Sequence, residues 1–286
     1  MADAKWNLIV DVAECINCQL CALATQDEHV GNAYPGYAEE MPKHGRRWIE
    51  IERRERGAAP QIDVAYLPRM CQHCDDAPCM KAAKDGAVSK RADGIVLIDP
   101  VKAKGQRHLV DACPYGAITW NEEKQVPQTW FFDAHLLDAG WQRPRCVDVC
   151  ATGALEAVKV SDAAMAERAA AEGLEALRPE LKTRPRVHYR NLGRFLKAFV
   201  AGSVATADSA GIVDCVEGAL VRLTHEGQTV AEATTDAFGE FKLDGLVPDG
   251  SRYALVVAAD GHVAHAQDVA VADSVSLGEI RLTRAG

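Results

Sequence analysis

Ten cysteines occur in this 286-residue chain, and nine of them fall between positions 15 and 150 at spacings that suit metal ligation. The ligand run that holds a cubane iron-sulfur cluster is C-x2-C-x2-C-x3-C-P, in which three thiolates bind one cluster while the fourth reaches across to a neighbouring cluster. Cys15, Cys18 and Cys21 fill the first three places of such a run, with Thr25 at the fourth. Cys71, Cys74 and Cys79 form a widened triplet, CQHCDDAPC, with Ala83 where the fourth thiol belongs. Two later stretches keep the outline without the full ligand set: Ala103, Gln106 and Leu109 precede Cys113-Pro114, and Trp130 and Asp133 precede Cys146 and Cys150. The crosswise rule then sorts eight thiols into two complete sets, Cys15, Cys18, Cys21 and Cys150 for one 4Fe-4S cluster and Cys71, Cys74, Cys79 and Cys113 for another. The missing ligands sort just as coherently. Thr25, Trp130, Asp133 and Cys146 make up one lost site, and Ala83, Ala103, Gln106 and Leu109 the other, so each absent cluster has lost its triplet and its crosswise thiol together. One-electron chemistry at bound clusters is what such a chain offers.

Zinc bound by four cysteines uses similar CxxC pairs, but a C-x2-C-x2-C triplet joined to a distant CxxxC and a separate Cys-Pro is an iron-sulfur arrangement. His73, inside CQHC, is expected to point away or to donate to a cluster sulfur, and His29 and His135 to be hydrogen-bond donors near the ligands. Trp130 should fill the space of an absent cluster with apolar volume, Asp133 and Cys146 leave room for some other metal, and Cys215 reads as a small core residue. Arg46, Arg47, Arg53, Arg54 and Arg56 alternate with Glu50, Glu52 and Glu55, which suits an ion-paired or solvated strand face or a partner contact.

The elements that must position these thiols are short. Apolar pieces at Asn7 to Val12, Ile95 to Ile98 and Ala117 to Trp120 stand between irregular stretches, as in a fold organised by its metal centres. Residues 161 to 177, rich in Ala, Glu and Leu, predict a helix with Ser161 as N-cap and Gly173 as an early stop. GSVATADSAG reads as a linker. From Asp214 onward the runs ALVRL, QTVAEATT, GEFKLDGL, YALVVAAD, HVAHAQDVAV and SVSLGEIRL alternate apolar and polar residues between turn signals, predicting a small antiparallel β-sandwich or barrel. The fold class is thus an α+β, ferredoxin-like double-module iron-sulfur domain with a helical extension over residues 1 to 200, followed by an all-β domain over 201 to 286.

A net charge of -9 argues against nucleic acid or an anionic membrane surface as partner. No signal peptide is legible, and the longest apolar stretch, FLKAFVAGSVATADSAGIV, is interrupted by Lys197 and Asp208, so a reduced cytoplasmic setting is expected.

With these residues in hand the chain resembles the iron-sulfur subunits of DMSO-reductase-type molybdopterin oxidoreductases, and within them the small subunits of pyrogallol-phloroglucinol transhydroxylases and resorcinol hydroxylases. HGRRWIEIERRERG, DGIVLIDPVKAKG, CPYGAITWNEE, AHLLD and KTRPRVHYRNLGRF carry the resemblance together with the cysteine groups. The passage TTDAFGEFKLDGLVPDGSRYALVVAADGH is similar to transthyretin-like or carboxypeptidase-regulatory-like domains. The resemblance implies a heterodimer whose large subunit carries a molybdenum bis-molybdopterin guanine dinucleotide cofactor and binds a polyhydroxylated benzene, with this chain supplying clusters and contact surface. It also implies a third cluster in the transhydroxylase branch, where this chain has Thr25, Trp130 and Asp133.

Overall fold

A computed structural model describes residues 4–208 and 210–285 and divides into two compact units, residues 1–53 with 66–192 and residues 54–65 with 193–286.

In the first unit regular structure is sparse. Strand β1 (Lys5–Asp11) is an apolar run buried along nearly its whole length, and it is followed by helix α1 (Leu20–His29). Strands β2 (Glu50–Ala58) and β3 (Gln61–Arg69) make a two-stranded ribbon whose residues 54–65 count with the second unit. The short helix α2 (Pro78–Ala82) precedes two small hairpins, β4 (Val88–Lys90) with β5 (Val96–Ile98) and β6 (Thr119–Asn121) with β7 (Val126–Gln128). Helices α3 (Ala134–Asp138) and α4 (Arg145–Asp148) lead into β8 (Leu155–Val160), helix α5 (Asp162–Glu172) and β9 (Val187–Arg190). The central sheet runs β8-β1-β9, with β1 antiparallel to β8 and parallel to β9. All three apolar pieces singled out in the sequence contribute to strands, namely β1, β5 and β6. In α5 the Ser161 hydroxyl accepts the Ala164 N–H at 3.2 Å, and Gly173 ends the helix at a φ of 62°, a left-handed conformation that costs glycine little.

In the second unit the strands are β10 (Ala198–Ala207), β11 (Val213–Cys215), β12 (Leu220–His225), β13 (Gln228–Thr234), β14 (Glu240–Leu246), β15 (Ser251–Ala258), β16 (His265–Val271) and β17 (Val275–Leu282). They form two sheets, β13-β12-β15-β16 and β11-β10-β14 with β17 on β10. Alternation places Val221, Leu223, Phe241, Leu243, Leu255, Val257 and Ile280 in one shared core, as a sandwich requires. Two expectations need correction. The stretch beginning at Gly202 is no linker: through Ala207 it is the buried strand β10, whose small residues permit close packing, since a Cβ on Gly202 would stand 3.0 Å from both the Gly278 carbonyl and the Phe241 ring. The sandwich is also not wholly antiparallel, because β10 and β17 pair in parallel.

Of the charged residues of the β2–β3 ribbon, Glu50 pairs with Arg46, which precedes it, and Glu52 with Arg69. Arg56 is fully buried, bonded to Asp63 at 2.5 Å and to Asp244 at 3.1 and 3.2 Å. Nothing in its alternating neighbourhood marks Arg56 as interior.

Candidate metal centres

The pairing of β1 with β8, which sets Val10 opposite Leu155, brings two loops to one end of the central sheet. One loop leaves β1 and carries Cys15 and Cys18, with Cys21 in the first turn of α1; the other leaves α4 and carries Cys150. The thiols of Cys15 and Cys21 are buried and lie close enough to Cys18 and Cys150 to be disfavoured as thiolates, and the buried Cys146 neighbours Cys21 and Cys150 in the same way. Asn17 and Gln19, on either side of the exposed Cys18, adopt positive φ values of 59° and 64°, which curls the loop tightly. Burial, with added repulsion from neighbouring thiols, pushes Cys21 up to about 12.

The second group is enclosed further. Cys71, Cys74, Cys79 and Cys113 all line one small cavity of about 20 Å³, walled mostly by hydrocarbon from residues such as Val96, Ile98 and Ile118. β3 delivers Cys71 and Cys74, α2 carries Cys79, and Cys113 follows the turn at Arg107–Leu109. Burial, then the charges of Cys79 and Cys113, push the Cys71 thiol well up, and Cys79 stands at about 12 for the same reasons. The Ala117 N–H reaches Cys113 Sγ at 3.4 Å, and Thr183, whose hydroxyl also lies 2.6 Å from Tyr115 Oη, hydrogen bonds Cys74. Hydrogen bonds to sulfur of this kind tune cluster potentials.

These donor sets fit iron-sulfur clusters. Each offers four soft sulfurs, and burial disfavours the anionic forms of Cys15 and Cys21 in the first and of Cys71, Cys74 and Cys79 in the second, the situation that a polycationic core relieves. Among the described residues no three His, Cys, Asp or Glu side chains close on a single ion. The four cysteines of the second set line one small cavity instead of converging on a point.

The two lost sites do not fit a cluster. Ala103 and Leu109 belong to an apolar core with Ala87, Val88 and Ile118, against which Ala83 packs, and Gln106 caps that core with hydrogen bonds to Lys84 and Lys102. In the other, Thr25, Trp130, Asp133 and Cys146 are all buried, the Thr25 hydroxyl donating to the Cys21 carbonyl at 2.9 Å. Trp130 is stacked on Phe132 with centroids 4.9 Å apart and meets the edge of His73 at 5.5 Å. Solid protein fills this place.

None of the three histidines is placed as a ligand, and their partners are specific. His73 Nδ1 accepts the Val96 N–H at 3.1 Å, which leaves it no proton to donate to Cys71 Sγ, 3.9 Å away. Burial, aided by Lys90 and Arg186, lowers His73 to about 3 and keeps it neutral. His135 bonds Glu28 at 3.0 Å, and His29 lies 3.5 Å from Asp133, so both face carboxylates and not sulfurs. Cys215 is exposed, not in the core.

Residues 62–160 match the model of a 4Fe-4S dicluster domain, and residues 200–283 that of a carboxypeptidase regulatory-like domain. The chain is 45% identical to the pyrogallol hydroxytransferase small subunit of Pelobacter acidigallici, over 97% of this chain and 99% of that one. It is 30% identical to a tetrathionate reductase subunit of Salmonella typhimurium, over 72% and 79% of the two chains. The arsenate respiratory reductase iron-sulfur subunit of a Shewanella species is 29% identical over 49% of this chain and 55% of its own. Full-length similarity, the dicluster match and two groups of four thiols agree: the chain belongs to the iron-sulfur subunit family that includes the pyrogallol hydroxytransferase small subunit.

Proposed function

We propose that this chain is the electron-transferring iron-sulfur subunit of a heterodimeric molybdenum enzyme that hydroxylates or transhydroxylates polyhydroxylated benzenes of the pyrogallol and resorcinol type. Cys15, Cys18, Cys21 and Cys150 hold one 4Fe-4S cluster, and Cys71, Cys74, Cys79 and Cys113 the second. Bound clusters supply one-electron transfer, while catalysis belongs to a large partner subunit carrying the molybdopterin cofactor. The observation that carries the reading is the cavity lined by all four thiols of the second set, in a chain similar end to end to a hydroxytransferase small subunit. Residues 1–200 serve as the cluster-bearing domain and residues 201–286 as a β-module for contact. The setting is the cytoplasm; no helix among the described residues is long and apolar enough to cross a membrane. Purification of the native protein tests the partnership: a stable complex with a large molybdopterin-containing chain is expected, and recovery of this chain alone refutes it.

A second reading makes the clusters structural staples of a scaffold for the catalytic partner. The buried Trp130 and Phe132 stack, where a third centre would relay electrons, favours it. Reductive titration followed by electron paramagnetic resonance separates the two, because clusters reduced by substrate through the molybdenum centre exclude the staple.

A further inference from the structure

Asp133 stands at a place where a lost cluster would have taken a thiolate, and it is 1% exposed. Phe132 and Asp133 both adopt positive φ, 61° and 49°, a costly conformation for two consecutive non-glycine residues. The carboxylate that results makes two contacts with different elements. Oδ2 accepts the backbone N–H of Arg145, the first residue of α4, at 2.8 Å. Oδ1 lies 3.5 Å from Nε2 of His29, the last residue of α1. The Arg145 side chain extends the tie, bonding Glu28 at 2.6 Å and Asp27 at 2.7 Å, so the last three residues of α1 all meet Asp133 or the residue it holds.

Those two helices carry the two halves of one ligand set. Cys21 lies in the first turn of α1, and Cys150 follows α4 by two residues. A bound cluster between the segments would cross-link them through iron-sulfur bonds; here a buried carboxylate spans the same join. We infer that Asp133 is a positioning residue for the first cluster, fixing α4 against α1 so that Cys150 meets Cys15, Cys18 and Cys21. This rests on the ligand sets proposed above. Asp133, His29 and Cys146 do not close on an ion of their own, so the tie is the hydrogen bond from the Arg145 N–H together with the packing of His29. Removing the carboxylate leaves the Arg145 N–H without its acceptor in a part-buried site and frees the segment that presents Cys150.

The test uses the full-length holoprotein, reduced and examined by electron paramagnetic resonance, with iron measured per chain. Cys150→Ala identifies the first cluster as the signal it removes; if both signals survive, the ligand reading fails, independently of Asp133. Asp133→Ala is expected to lose or shift that same signal, with iron falling from about eight toward about four per chain, while the second cluster's signal is unchanged. Asp133→Asn keeps an oxygen for the Arg145 N–H and should retain the wild-type first signal. Unaltered signals in Asp133→Ala, or equal damage from Asn and Ala, overturn the inference. If Asp133→Ala loses both clusters, Asp133→Ser decides: loss of the first signal alone supports the positioning role, and loss of both or of neither refutes it.

Discussion

Replacing Trp130 by alanine probes the solid protein found where a cluster site has been lost. The side chain is fully buried, stacked on Phe132 at 4.9 Å and edge-on to His73 at 5.5 Å. Truncating a buried tryptophan removes its transfer free energy and leaves a cavity, together about 3 to 5 kcal/mol, of which the aromatic pair accounts for about 0.5 to 1.5 kcal/mol. For a folding unit of about 150 to 250 residues, each kcal/mol lowers the melting temperature by about 2 to 4 °C, so the loss should be roughly 6 to 20 °C. Thermal scans of the holoprotein at one fixed rate, followed by circular dichroism, measure it; iron content should remain at the wild-type value because Trp130 holds no metal. Trp130→Phe, which keeps most of the volume, should lose clearly less. A shift below about 3 °C for Trp130→Ala, or iron loss matching that of a cysteine variant, would refute the idea that this residue is a packing plug.

Arg56→Ala in the second unit should cost about 3 kcal/mol in denaturant unfolding, the lower end for a broken buried pair, because Asp63 keeps Arg194 and Lys242 as partners. A cost near zero would mean that the buried guanidinium contributes no net stability. Burial raises Glu28, but hydrogen bonds from His135, Tyr34 and Arg145 outweigh it and leave the carboxyl at about 2, below its ordinary 4.5. Its contribution is therefore complete above pH of about 4.5 and disappears as pH falls toward about 2. The difference in unfolding midpoint between wild type and Glu28→Gln should shrink across that window, and a constant difference contradicts it. Gly239→Ala should destabilise the β-unit by about 1 kcal/mol or more, because the residue has a φ of 73° and a Cβ there would stand 2.4 Å from the Val204 carbonyl oxygen. An unchanged midpoint argues against that close approach.

The metal chemistry was legible because ligand spacing is local: three thiols within seven residues report a cluster with no knowledge of the fold. The strands from Leu220 to Leu282 were legible for a similar reason, since one face of each is buried and alternation writes that face into the sequence. What escaped depends on distant partners. Gly202 and its small neighbours imitate a linker, and pairing with β14 and β11 on one side and with β17 on the other makes them an inner strand. Arg56 sits in a run of charges that looks solvated, yet carboxylates at Asp63 and Asp244 allow it to be buried. Between pointing away and donating to sulfur the sequence left His73 open, and the Val96 amide decides its tautomer from 23 residues away. Asp133 read as a lost cluster ligand that left room, with Cys146, for some other metal, and its contacts with His29 and Arg145 belong to tertiary structure alone.

Iron and acid-labile sulfide counted per chain in the anaerobically purified native protein test the central claim most directly. Two complete ligand sets and two sites filled by protein predict about eight of each. About twelve would mean that a third cluster survives despite Thr25, Trp130 and Asp133, and zinc in place of iron and sulfide would contradict the cluster assignment altogether.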